Sequence, residues 1–195
     1  KVGGASFSKT IKVETIMPNR LKINFDLGGK TYLGNGASSA TTLSAKWLFG
    51  TPAQNLKAKV DVNLNTTQTK FKGFDEYTFD NPTVIFESQI KTIFEGTLNG
   101  EGNAVVNTNL SENNTAPGVL RANFSTKVFE PGGNFSIDNF SIPYHVYSNY
   151  LGIKTPQGDK LSGMLLTGQN HKIDIVNVNR DGKLSASSKS VQVDL

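Results

Sequence analysis

The 195-residue chain contains no cysteine, two histidines, two methionines and one tryptophan. Without cysteine there are no disulfides, thiol nucleophiles, thiolate zinc sites or redox switches, and two histidines are too few for a histidine-rich metal centre. No run approaches the roughly 18 apolar residues of a spanning helix, and the first residues lack the charged and apolar regions of a signal peptide. Charge of one sign is also scarce. Lys and Arg total 20 against 16 Asp and Glu, a formal charge of +4, and the lysines alternate with apolar residues instead of forming a basic patch. That distribution fits solvated strand faces better than a nucleic-acid surface.

What is present is period-two alternation along almost the whole chain, with little helical periodicity. Leu21, Ile23 and Phe25 alternate with Lys22, Asn24 and Asp26, and Leu43, Ala45, Trp47 and Phe49 alternate with mostly polar neighbours. Leu56, Ala58, Val60, Val62 and Leu64 show one buried and one wet face most clearly. Further strands are predicted at about 76–79, 84–87, 90–98, 104–110, 119–129 and 135–144, separated by turns such as Asn99-Gly100-Glu101-Gly102 and Glu130-Pro131-Gly132-Gly133. The fold class is therefore all-β, a sandwich or a barrel; an internal echo in the sequence reads it as an antiparallel β-sandwich in tandem modules. The alternation slips between Phe135, Ile137 and Phe140, Ile142, Tyr144, which predicts a bulge near Asn139. Trp47, Leu56, Ala58, Val60 and Val62 are expected to share one core, with Gly50-Thr51-Pro52 turning the chain between them.

An internal echo suggests domain boundaries. Gly3-Gly4-Ala5-Ser6-Phe7-Ser8 is similar to Gly132-Gly133-Asn134-Phe135-Ser136, and Asn19-Arg20-Leu21-Lys22-Ile23 to Asn149-Tyr150-Leu151-Gly152-Ile153. Each copy reads as the last strand of one sandwich, a joint, and the first strand of the next. Residues 1–14 then finish one module with its linker, 15–147 form a complete module, and 148–195 begin a following, truncated one. The joint at 144–151 is expected to be exposed to proteases unless a large interface covers it.

The segments Glu14 to Ile23 and Lys46-Trp47-Leu48-Phe49-Gly50-Thr51-Pro52-Ala53-Gln54-Asn55-Leu56-Lys57 resemble bacterial α2-macroglobulins, whose macroglobulin-like domains run from an aromatic-rich strand through Gly-x-Pro into a Val-rich strand. The resemblance covers about residues 10–155. It implies a non-catalytic structural module of a proteinase-trapping protein, an endopeptidase inhibitor of the periplasm or cell surface. The implied partners are neighbouring macroglobulin-like domains and, through the full-length protein, proteinases. The Cys-Gly-Glu-Gln thioester motif of some members is absent from this stretch, and no segment reads as a bait region. The alternative is a carbohydrate-binding or adhesin-type β-sandwich of a cell-surface protein, since one architecture serves many functions.

Candidate sites in the sequence give way to plainer readings. Leu27-Gly28-Gly29-Lys30-Thr31 ends like a phosphate loop, but position 24 is Asn and no helix pattern follows. Asn177-Val178-Asn179-Arg180-Asp181-Gly182 imitates half a calcium loop, yet Ser188 stands where a bidentate Glu belongs, so a hairpin turn is the better reading. His145 reads as a linker residue and His171 as the start of a strand, neither with a nucleophile and carboxylate in a recognisable context. Asp75, Glu76 and Asp80 could suggest paired carboxylates but fit edge or loop charges. The aromatic residues fit core packing before a sugar platform. Asn-x-Ser/Thr triplets at Asn65, Asn109, Asn113, Asn123, Asn134 and Asn139 follow from composition and do not establish glycosylation. No catalytic, cofactor-binding or metal-binding residue is predicted.

Overall fold

The structure is a computed structural model that describes residues 18–36, 39–110 and 115–186. The proposed preceding strand at 1–14, residues 14–17 of the family-like segment, Asn113 and the chain end at 187–195 lie outside the described residues.

Among the described residues, ten strands follow in chain order: β1 (Leu21–Asp26), β2 (Leu33–Gly34), β3 (Ala40–Trp47), β4 (Lys57–Thr66), β5 (Ile90–Thr97), β6 (Asn103–Asn107), β7 (Leu120–Phe129), β8 (Phe135–His145), β9 (Asn149–Lys154) and β10 (Asp174–Asn179). A three-stranded sheet, β1-β3-β6, faces a five-stranded sheet, β2-β8-β7-β4-β5, and β9 pairs with β10 in a separate hairpin. All pairings are antiparallel except the short β2–β8 contact. The core lies between the two larger sheets, as alternation requires. Ala58, Val60, Val62 and Leu64 of β4 are buried beside Leu120, Ala122, Phe124 and Val128 of β7. Phe124 stacks on Phe140 at 4.9 Å, and Phe25 crosses from the other sheet with its edge toward Phe124 at 5.7 Å. This offset and edge-on packing suits the aromatic quadrupole.

Gly50-Thr51-Pro52 forms the expected turn. Gly50 has φ 100°, Trp47 N donates to Thr51 O at 2.8 Å, and Pro52 bridges back to Lys46 before the chain crosses to β4 in the opposite sheet. Leu56, Ala58, Val60 and Val62 share the core. Trp47 is only half-buried at its edge, with the Arg20 guanidinium 5.5 Å from its ring. Phe49, expected to follow Trp47 inward, is 76% exposed because β3 ends at Trp47 and the turn carries Phe49 out to stack on the indole.

Two sequence expectations about strands are corrected. β7 and β8 pair in one unbroken register from Leu120↔Tyr144 to Phe129↔Phe135, so there is no bulge at Asn139. Phe135 and Ile137 belong to the outer face. There Phe135 packs against Phe129 at 5.9 Å and under Lys127 Nζ at 5.2 Å, while Ser136 takes the fully buried inner position. The Ser136 hydroxyl accepts from Arg20 N and Leu21 N, and Asn19 exchanges two hydrogen bonds with the Ile137 backbone. The register shift falls in the β4–β5 pair, between Val60 and Asp61, where consecutive Ile93 and Phe94 both pack on the core. Segment 84–87 is not a strand. Asn81 organises a turn at its start instead, accepting from Thr83 N and Thr83 Oγ1 and receiving Val84 N at its carbonyl. Of the strand expected at 76–79, one antiparallel bridge remains, Thr78↔Ile153.

Candidate functional site

The described residues concentrate their unusual chemistry where the sandwich meets the β9–β10 hairpin. A second core, separate from the first, joins Phe71, Phe79 and Val119 of the sandwich to Tyr150 and Val178 of the hairpin. Phe71 meets Phe79 edge-on at 4.9 Å and Tyr150 at 5.5 Å. Backbone fits against these rings at Gly152, where an added Cβ would stand 2.4 Å from Phe79 Cε1. Thr78 and Ile153 exchange both backbone hydrogen bonds at 2.9 Å, so the joint is tied by main chain as well as by apolar contact.

His145, the last residue of β8, sits beside this second core at 5% exposure. Tyr32 approaches its ring edge-on at 4.9 Å and Tyr150 at 5.5 Å, and its buried Nδ1 has no hydrogen-bond partner among the described residues. Burial, reinforced by the Arg180 charge and opposed by Asp181, pushes the imidazole down to about 4, so it is neutral at physiological pH. Burial likewise pushes the Tyr150 phenol up to about 12. Arg180 pins the hairpin to the sandwich. Its Nε donates to Tyr147 O at 3.0 Å, and its guanidinium lies over Gly34, where a Cβ would stand 2.6 Å from Nη1. Asp181 accepts from Tyr32 Oη at 3.3 Å. Between these elements opens a cleft of about 520 Å³, floored by His145 and Phe71 and edged by Lys70, Lys72, Arg121 and Arg180.

The other sequence candidates are dispersed. Gly28 and Gly29, with φ of 71° and 67°, turn the chain after β1, and Lys30 Nζ donates to Ser39 Oγ at 2.7 Å. Asn179 Oδ1 accepts from Asp181 N and Lys183 N at 3.0 Å each and makes 177–182 the end of a hairpin, as its Asp-Gly suggested. Asp80 accepts from Thr69 N, Glu76 pairs with Lys154 at 2.6 Å, and Asp75 is exposed, so the three carboxylates serve separate places. His171 is exposed, interacts with Leu166 O, and precedes β10 by three residues instead of starting it. Among the described residues no group of three or more His, Cys, Asp or Glu side chains could hold a metal ion.

With this geometry in view, the family model described as the bacterial alpha-2-macroglobulin MG5 domain matches residues 19–135. The chain belongs to that family. Its fold matches the native conformation of Escherichia coli alpha-2-macroglobulin at TM-score 0.60 and 20% identity, covering 87% of this chain and 11% of that one. The trypsin-activated Escherichia coli protein matches at TM-score 0.59 and 19% identity, covering 86% and 12%. Salmonella alpha-2-macroglobulin reacted with methylamine matches at TM-score 0.58 and 18% identity, covering 88% and 12%. The chain thus spans about one-ninth of the length of these solved relatives. No curated protein matches it.

In this MG5 chain the sequence singled out His145 and the 177–182 turn separately, and the structure brings them together. Tyr32, Phe71, Arg180 and Gly34 were missed as partners. One signal was available: Phe71, Phe74, Tyr77 and Phe79 crowd a turn-rich stretch where a single strand cannot use four rings. Such a surplus calls for a second apolar surface.

Proposed function

We propose that this chain is a non-catalytic framework region of a larger bacterial alpha-2-macroglobulin, an endopeptidase inhibitor of the periplasm or cell surface that captures proteinases by rearranging many such domains. The observation that carries the reading is the MG5 family match across 19–135. Residues 15–147 serve as one complete macroglobulin-like module, 1–14 as the last strand and linker of its predecessor, and 148–195 as the first strands of its successor. The separate β9–β10 hairpin supports this division, because a lone two-stranded sheet is marginal in water and here rests on aromatic residues of the module before it. The work of such a module is to fix the geometry of its neighbours. Its partners are those neighbouring domains and, through the whole protein, proteinases; the Escherichia coli relative is activated by trypsin and by porcine elastase.

The test compares the 195-residue chain with its full-length parent against a panel of proteinases acting on a large protein substrate. The full-length protein, once cleaved, is expected to lower proteinase activity, and the isolated chain to leave it unchanged. Near-stoichiometric inhibition by the isolated chain, or no capture by the parent, would contradict the proposal.

A further inference from the structure

The geometry points to a binding site for a carboxylate-bearing peptide segment in the cleft between the sandwich and the hairpin. The cleft's volume, about 520 Å³, lies within the range of ligand-binding pockets. Its edge brings together Lys70, Lys72, Arg121 and Arg180 against one lining carboxylate, Asp181, which already accepts from Tyr32. None of the four cations is in an ion pair among the described residues, although Arg121 reaches Ser141 Oγ at 3.2 Å and Arg180 reaches Tyr147 O. Four like charges facing one concavity repel one another, and an anion entering between them relieves that repulsion.

An independent observation lies on the floor. His145 lines the same cleft at 5% exposure, and its Nδ1 lacks a hydrogen-bond partner among the described residues. Buried polar atoms are rarely left so, and they mark places where a ligand or water completes the bonding. The walls favour a peptide over a bare inorganic anion: half-buried Tyr32 and the small accessible part of Phe71 line the cleft with apolar ring surface, to which the methylenes and backbone of an acidic segment are complementary. The arginines add planar donor pairs matched to carboxylates. This inference does not depend on the trapping role, because the cleft is formed by this chain alone.

Hexaglutamate titrated into the 195-residue chain, followed by amide chemical shifts, tests it. Shifts are expected to concentrate at Tyr32, Lys72, Arg121 and His145, with binding that weakens as salt rises and falls about tenfold in a Lys72→Gln/Arg121→Gln variant. A Lys22→Gln/Lys46→Gln variant removes the same charge from a cross-strand pair on the β1–β3 face and is expected to bind like the parent chain. Hexaglutamine and inorganic phosphate are expected to bind much more weakly. Equal weakening in both variants, phosphate binding as tight as hexaglutamate, or shifts centred away from the cleft would overturn the proposal. The substituted residues are exposed and outside both cores, so retained amide dispersion in each variant separates lost binding from lost folding.

Discussion

Acidification should loosen this protein through His145. Its imidazole is pushed down to about 4 in the folded state, against about 6.5 for an unburied histidine, so the unfolded chain binds the proton more readily between those values. Stability from this group is therefore complete above about pH 6.5 and declines as pH falls toward 4. At about pH 5 the unfolded imidazole is almost wholly charged and the folded one almost wholly neutral. Linkage then gives a loss of about 2 kcal/mol between pH 7 and pH 5, approaching a little over 3 kcal/mol below pH 4. The full effect requires His145 to remain where it is, ringed by Tyr32, Phe71 and Tyr150 with Arg180 nearby. Urea unfolding of the parent chain and His145→Phe at both pH values isolates the term, since the aromatic replacement keeps an apolar ring and removes the titration. The variant's pH-dependent loss should be smaller by about 2 kcal/mol. Equal losses in the two proteins, or an imidazole that titrates near 6.5 in the folded chain, would refute the reasoning.

Three further outcomes follow from packing. Trp47→Ala should cost about 1–2 kcal/mol, less than a fully buried aromatic, with Trp47 fluorescence in the parent partly accessible to quenchers; a loss of 4 kcal/mol or more in thermal or urea unfolding would place Trp47 deep in the core (~3–5 kcal/mol for buried aromatics). Gly152→Ala drives a methyl into Phe79 and should destabilise the hairpin by about 1–3 kcal/mol, seen as faster amide exchange at β9 with β4 unchanged. Gly118→Ala should destabilise the sandwich, because its Cβ would come 2.2 Å from Asp80 Oδ1 and 2.3 Å from Thr69 Oγ1, where Thr69 also receives Val119 N; an unchanged unfolding midpoint would contradict that account.

The sequence was most readable where one face is buried and the other wet. β4 and β7 lie within a residue or two of their expected positions because each inward side chain meets the opposite sheet. Alternation failed where an apolar side chain found shelter on the outside. Phe135, beside Phe129 and under Lys127, imitated a core position and so suggested a bulge that the register does not contain. It failed again at Phe49, since alternation shows periodicity but not where a strand stops. The candidate site was less legible than the fold. His145 looked like a linker residue because the rings that cover it come from positions 32, 71 and 150, and no local pattern reports such distant neighbours. The 177–182 turn was recognisable from Asp-Gly, whereas the docking of Arg180 on Gly34 depends on tertiary contact alone.

The claim that this region holds neighbouring modules at fixed geometry rests on the joint at 144–151, where Tyr144, His145, Val146 and Tyr150 are all buried. Limited proteolysis of the 195-residue chain with mapped cleavage sites tests it most directly. The second core and the Thr78–Ile153 bonds should leave the joint intact while cuts accumulate in the exposed stretch at 160–172, which contains Lys160, Leu161 and Lys172. First cleavage between 144 and 151, releasing a sandwich free of its hairpin, would contradict the account.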